Sequence, residues 1–334
     1  MPTVRVAAFL DAGRSLDAAV ERVRLVDSLG YDSVWVTHIA AREPLQVLGH
    51  YARATERIGL GTGVVTMAVR HPALLGQEAA TLDEISGGRF RLGIGVSHKL
   101  TIEGWYGLQV DDPVGRIVEY TKILRMLFTS DGGTFEGKHY TSRFGFLGYR
   151  ARKDLPILWA AMGPKMLRAA AEHADGIVLW MCSPSHIRRT IRPALDRALA
   201  EVGRSPDEFE VVAAVPAAVT ENPDAARDAF RSQAPPYLNL PNYRKEIEQA
   251  HPEVLAAFDE RMKAGDMAAA LASLGPEFTD DYAGIGDAEA VRAKVEDYRS
   301  AGVTLPAVGP LPRRPGSAGV EATLEAAAPS RSGG

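Results

Sequence analysis

The stretch Ile58–Ser97, IGLGTGVVTMAVRHPALLGQEAATLDEISGGRFRLGIGVS, decides the fold. Two apolar, glycine-punctuated runs, Ile58–Thr66 and Phe90–Val96, flank a segment opening at Pro72. In that segment Leu74, Leu75, Ala79, Leu82 and Ile85 recur as one helical stripe. Pro72 suits a first helical position, where an N–H would find no intrahelical partner anyway. Gly87 and Gly88 supply a left-handed stop at the other end. A buried strand, a crossover helix and a second buried strand make one repeat of a parallel sheet.

The same alternation extends both ways. Toward the amino terminus, Val4–Leu10 predicts a first strand. A helix follows, capped by Ser15 and stopped by Gly30, then a second strand over Asp32–Thr37 and a helix from Pro44 to about Arg57. Toward the carboxyl terminus the spacing predicts a helix over 113–128 and a fifth strand at Pro156–Ala160. Helix 164–173, a sixth strand at 176–181, helix 184–202 and a seventh strand within 208–220 come next. A helix capped by Asp287 and ended by Gly302, an eighth strand at Val303–Val308 and a closing helix at 319–328 complete the pattern. Three stretches break it: a polar-aromatic loop at 97–112, a short hairpin at 134–147 and a mixed helical segment at 225–284. Eight strands alternating with helices fit a (β/α)8 TIM barrel, α/β in class, with insertions after strands four and seven. The competing architecture, an open doubly wound sheet with a separate small domain, would need a linker, and none is legible. The expectation is one domain over 1–334, with a frayed tail at 329–334.

With 334 residues, 46% of them hydrophobic, the chain can bury a sizeable core. A net charge of -4 without a basic run offers no footprint for nucleic acid or a membrane surface. A single cysteine, Cys182, excludes an intrachain disulfide and a thiolate metal cluster, and with no apolar leader it suits the cytoplasm.

Barrel chemistry lies at the carboxyl ends of the strands. His38 follows strand two, Gly63–Thr66 closes strand three, and Ser97 and His98 follow strand four. Met162, Gly163 and Pro164 follow strand five. No nucleophile elbow or carboxylate-rich metal set occurs there. His38 and His98 lack a third ligand, so no metal is expected. The Met162–Gly163–Pro164 turn feeds a helix amino terminus, which favours a phosphate; an ordinary strand-to-helix turn would use the same residues. His38 suits a proton or hydrogen-bond donor facing the mouth, and equally a histidine bonded to a loop carbonyl. Trp105 and Tyr106 read as lid aromatics or as loop packing, and His71 as a helix cap.

Five phrases together, SVWVTH (33–38), GTGVVTMAVRHP (61–72), AATLDEISGGRFRLGIGVS (79–97), AAMGPKMLRAAAEHADGIVLW (160–180) and IGDAEAVRAKVEDYRSAGV (285–303), resemble the bacterial luciferase-like superfamily. GIGVSHKLTIEGWYGL is more similar to its F420-dependent oxidoreductase branch. The resemblance implies a deazaflavin, F420, seated at the barrel top (FMN being the alternative) against a strand-three bulge with a non-prolyl cis peptide at Gly63–Val64. It further implies His38 beside the reactive ring carbon, a phosphate held at Met162–Gly163–Pro164, and contributions from Thr66 and Ser97. Thr37 stands where many relatives are acidic, and no glutamate closely follows strand four. The second departure weakens a sugar-phosphate substrate and leaves the proton donor open among His38, His98 and, more remotely, Glu103. The expected activity is hydride transfer between F420 and a small organic substrate. Its rivals are a two-component flavin monooxygenase and a non-catalytic flavin- or deazaflavin-binding protein; a barrel lyase lacks its lysine or metal set. A homodimer, and a reductase supplying reduced cofactor, are the implied partners.

Overall fold

The computed structural model describes residues 4–38, 42–109, 111–130, 132–145, 148, 151–311 and 319–329. Eight parallel strands close a barrel: β1 (Ala7–Phe9), β2 (Ser33–Val36), β3 (Gly59–Thr62, resuming as Val65–Thr66), β4 (Phe90–Gly95), β5 (Ile157–Ala160), β6 (Gly176–Leu179), β7 (Glu210–Val219) and β8 (Leu305–Pro310). Each pairs with the next; β8 returns to β1 through Ala7↔Ala307, and β6 meets β7 through Val212↔Val178. The expected barrel is the one observed.

Period-two alternation sorts the strand residues into two cores. Ala8, Val34, Leu60, Leu92 and Ile157 point outward to the surrounding helices, whereas Ala7, Phe9, Trp35, Leu158, Val178, Val212, Ala214, Leu305 and Ala307 fill the barrel. The glycines of β3 and β4 make room for the largest of these. A Cβ on Gly61 would lie 2.5 Å from the Trp35 indole, and one on Gly93 would lie 1.9 Å from the Thr62 carbonyl oxygen. No side chain fits at either position.

Local punctuation reads as expected at several points. The Ser15 side chain accepts from Ala18 N–H, Asp287 from Ala290 N–H, and Nδ1 of His71 from Ala73 N–H. Gly87 and Gly88 carry φ of 67° and 82°. Helix Pro72–Ile85 buries Leu75, Ala79 and Leu82, but Leu74 and Ile85 are exposed at 48% and 42%. They lie about a quarter-turn off the buried face, which Leu75, Ala79 and Leu82 define by their four- and three-residue steps. The 97–112 stretch, expected as a loop, holds helix Lys99–Tyr106, ended by Gly107 in the left-handed region. Ile102 is its one buried residue, so it carries no apolar stripe for periodicity to register. Strands Gly133–Glu136 and Thr141–Phe144 pair antiparallel; positions 146–147 of the expected hairpin and 330–334 of the expected tail lie outside the described residues.

The segment after β7 folds as a run of helices including Pro223–Arg231, Pro235–Leu238, Pro241–Ala250, Pro252–Lys263 and Pro276–Tyr282, with its own core around Phe230, Phe258, Phe278 and Tyr282. Proline opens each of these five at the first turn. Among the described residues no helix is long and apolar enough to cross a membrane, and no group of three or more potential metal ligands occurs.

Candidate active site

The barrel filling ends toward the strands' carboxyl ends at Phe9, Val64 and Trp180. Val64 reaches this layer because β3 breaks between Thr62 and Val65, where the Gly63–Val64 peptide is cis. A Cβ on Gly63 would meet the Phe9 ring at 2.7 Å. One on Gly95 would stand 2.7 Å from Val64 Cγ2 and 3.1 Å from the Ala160 Cβ. The mouths of β1, β3, β4 and β5 are thus drawn together around Val64, which is only partly buried.

The buried polar atoms on this side without a hydrogen-bond partner among the described residues include His38 Nδ1 and Thr66 Oγ1. Buried polar atoms are ordinarily satisfied, so both are vacancies for a ligand's donors or acceptors. Burial, and then the Arg70 guanidinium, lower the His38 pKa below the ordinary histidine value, with Glu43 opposing them. The imidazole is therefore neutral at pH 7 and offers one donor and one acceptor. Arg70 is itself held by Glu43 at 2.9 Å and by Glu78 at 3.3 Å.

His98 sits in different company. It stands at the amino-terminal cap position of helix Lys99–Tyr106 without capping it, and its ring meets Tyr237 at 6.0 Å and Tyr243 at 5.9 Å, both edge-on. Burial lowers its pKa, with no charged neighbour contributing. Ser97 just before it has φ 60°, and Met181, beyond β6, has φ 49°. Left-handed backbone costs a non-glycine residue roughly 1–2 kcal/mol. Glu103 is exposed and 3.6 Å from Lys99, on the solvent side of its helix.

After β5, Gly163 is the extended cap of helix Pro164–His173 and, being glycine, has no side chain to cap the first-turn N–H groups. The insertion brings Asn242 over this turn, 3.8 Å from where a Gly163 Cβ would stand. Asn242 and Tyr243 open helix Pro241–Ala250, which is pinned from below by Glu246. Ser183 donates to Glu246 Oε1 through its backbone N–H at 3.1 Å and its hydroxyl at 3.3 Å, and the Tyr282 hydroxyl donates at 3.3 Å. Burial pushes this carboxyl up to about 8, against the pull of those hydrogen bonds. Ser183 closes the segment Trp180–Ser183 beyond β6, in which Cys182 is fully buried with its thiol pKa pushed up by burial.

The structure therefore gathers Gly63, Val64, Thr66 and His38 on one side of the mouth. His98 meets Tyr237 and Tyr243 of the helical segment after β7, Ser97 precedes it with a left-handed backbone, and Gly163 lies beneath Asn242. Sequence reading missed Phe9, Arg70, Trp180, Tyr237, Asn242, Tyr243 and Glu246. Trp180 carried a usable signal, being the large residue at the mouth of strand six. The insertion residues carried none.

A family description, luciferase-like monooxygenase, matches residues 2–305, and the chain belongs to that family. It is 31% identical to a 5,10-methylenetetrahydromethanopterin reductase of Archaeoglobus fulgidus over 86% of this chain and 87% of that one. A putative coenzyme F420-dependent oxidoreductase of Mycobacterium tuberculosis is 29% identical over 85% of this chain and 88% of its own. The solved coenzyme F420-dependent tetrahydromethanopterin reductase of Methanopyrus kandleri superposes with a TM-score of 0.80 at 25% identity, covering 97% of each chain.

Proposed function

We propose that this luciferase-like chain is an F420-dependent oxidoreductase, moving a hydride between the deazaflavin and a small organic substrate. The observation that carries the reading is the pair of buried atoms without a hydrogen-bond partner among the described residues, His38 Nδ1 and Thr66 Oγ1, beside the Gly63–Val64 break. The F420 dependence printed for the Mycobacterium tuberculosis relative and for the solved Methanopyrus kandleri reductase supports the identity of the cofactor.

The residues fit that group. Gly63–Val64 would support a flat ring from below, His38 and Thr66 would meet its polar edge, and Gly163 with the free N–H groups of helix Pro164–His173 would take a phosphate. When bound, the deazaflavin supplies a two-electron hydride carrier. The protein's part is orientation and proton handling. His38, neutral beside Arg70, would offer Nδ1 to the bound ring or substrate, and His98 presents a second imidazole at the mouth. Either ring is within the chemistry of moving a proton to or from a substrate oxygen as the hydride moves. The reading carries with it a homodimer, a separate reductase that reloads the cofactor, and a cytoplasmic setting suited to the one buried cysteine.

Titration of the purified protein with F420 and, separately, FMN, followed by ring fluorescence, tests it. Micromolar or tighter F420 binding with weak FMN binding is expected. The reverse preference, with oxygen-dependent turnover, would move the chain to the flavin monooxygenases.

A further inference from the structure

The two histidines divide the mouth into a charged half and a ring-lined half. Around His38 lie Arg70, Glu43 and Glu78. Beside them, starting at Phe9, five rings form an unbroken chain. Phe9 meets Trp180 at 5.6 Å, Trp180 meets Tyr237 at 6.3 Å, Tyr237 meets Tyr243 at 5.2 Å, and both tyrosines meet His98. Trp180, Tyr237 and His98 are each only partly buried, so this is a wall with an open side and not a sealed core. Among the described residues the His98 ring meets aromatic partners, and its pKa is lowered by burial. Glu246 is turned to Ser183 and Tyr282 behind the wall, and Lys99 projects outward with its side chain 70% exposed.

We infer that the ring wall selects a flat, uncharged, ring-bearing carbonyl compound as the hydride acceptor. The inference rests on the deazaflavin reading. Aromatic edges and faces reward a planar apolar partner, and a phosphate or carboxylate placed against these rings would be desolvated, with no cation among the described residues paired to the wall. In the reaction, the carbonyl carbon takes a hydride from the reduced deazaflavin as the C=O π pair moves to oxygen. That oxygen takes a proton delivered by one of the two imidazoles from water. The substrate is reduced to the alcohol and the cofactor is oxidised by the same two electrons.

The test uses two probes of near-equal size, 4-methylacetophenone and the anion 4-acetylbenzoate. Binding is followed by tryptophan fluorescence with and without saturating F420, and turnover by loss of reduced F420. The neutral ketone should bind at least about tenfold more tightly than the anion. Tyr237→Ala should weaken the ketone by about tenfold, mainly in KM, while F420 affinity stays within about twofold; Tyr237→Phe should restore it. Equal or tighter binding of 4-acetylbenzoate, no binding of either probe, or no response to Tyr237→Ala would overturn the inference. Absent F420 binding with intact, Tyr237-dependent ketone binding would sink the cofactor reading and leave the wall's selectivity standing.

Discussion

The two ends of the barrel treat polar groups in opposite ways. At the amino-terminal end, Arg5 and Arg91 each reach Asp32 at 2.7 Å, and Arg5 also reaches Glu210 at 2.7 Å. The Ser33 hydroxyl donates to Asp32, and the Trp35 indole N–H donates to Ser33. At the carboxyl-terminal end His38 Nδ1 and Thr66 Oγ1 have no partner among the described residues, and helix Pro164–His173 starts without a side-chain cap. The satisfied end holds the fold together, and the unsatisfied end keeps bonding capacity for a ligand. Stability and function are thereby assigned to different residues.

The strongest challenge to that division is His38→Asn. It should lower kcat by about 100- to 1000-fold while leaving the melting temperature near that of the wild type, as measured by steady-state kinetics beside calorimetry. A large loss of stability would show the histidine to be structural. The mirror experiment is Asp32→Ala, which strands Arg5 and Arg91 and should cost about 2–3 kcal/mol in denaturant unfolding with F420 affinity unchanged. Burial alone would raise the Asp32 pKa, but the two guanidiniums bring it to about 2. Its contribution is therefore present above the ordinary carboxylate range and is lost as the pH falls toward 2.

Glu246 reverses the sign. Its carboxyl binds a proton in the folded state up to about pH 8 and in the unfolded chain only to the ordinary glutamate value. This group's contribution to stability should be fully present below the ordinary glutamate value and be lost as the pH rises through about 8, by an amount on the order of a few kcal/mol. Glu246→Gln should flatten that dependence, which melting curves across the range would reveal. The smallest effect sharpens the comparison most. Gly163 has cap geometry that any residue adopts, so Gly163→Asp should gain up to about 1 kcal/mol as a helix cap. The same carboxylate would occupy the free N–H groups and repel a phosphate, weakening F420 about tenfold. Greater stability with poorer binding would place the phosphate there; unchanged binding would remove it.

Much of the frame was legible because its signals are local. Proline at first turns, Gly87–Gly88 and the apolar runs each report on their own element, and eight such repeats close only one way. Strand ends also point to one face, so His38, Ser97, His98 and Met162, which follow strands, are expected at the mouth from sequence alone. What periodicity cannot report is convergence. Tyr237 and Tyr243 lie far along the chain from His98, in a segment whose helices are short and proline-started, and only tertiary packing carries their rings back over the barrel. Helix Lys99–Tyr106 escaped for a related reason, since one buried residue makes no stripe. Glu246 carries no local signal, because its partners, Ser183 and Tyr282, are remote in sequence.

The solitary Cys182 makes the protein a nearly blank background for thiol chemistry. It is buried, and its raised pKa keeps it as the unreactive thiol, so alkylating reagents at neutral pH should leave the folded protein unmarked. A single cysteine introduced on the rim, for instance Lys99→Cys, would then carry a dye at one defined point. Substrate entry past the ring wall could be watched optically, without first stripping native cysteines from the chain.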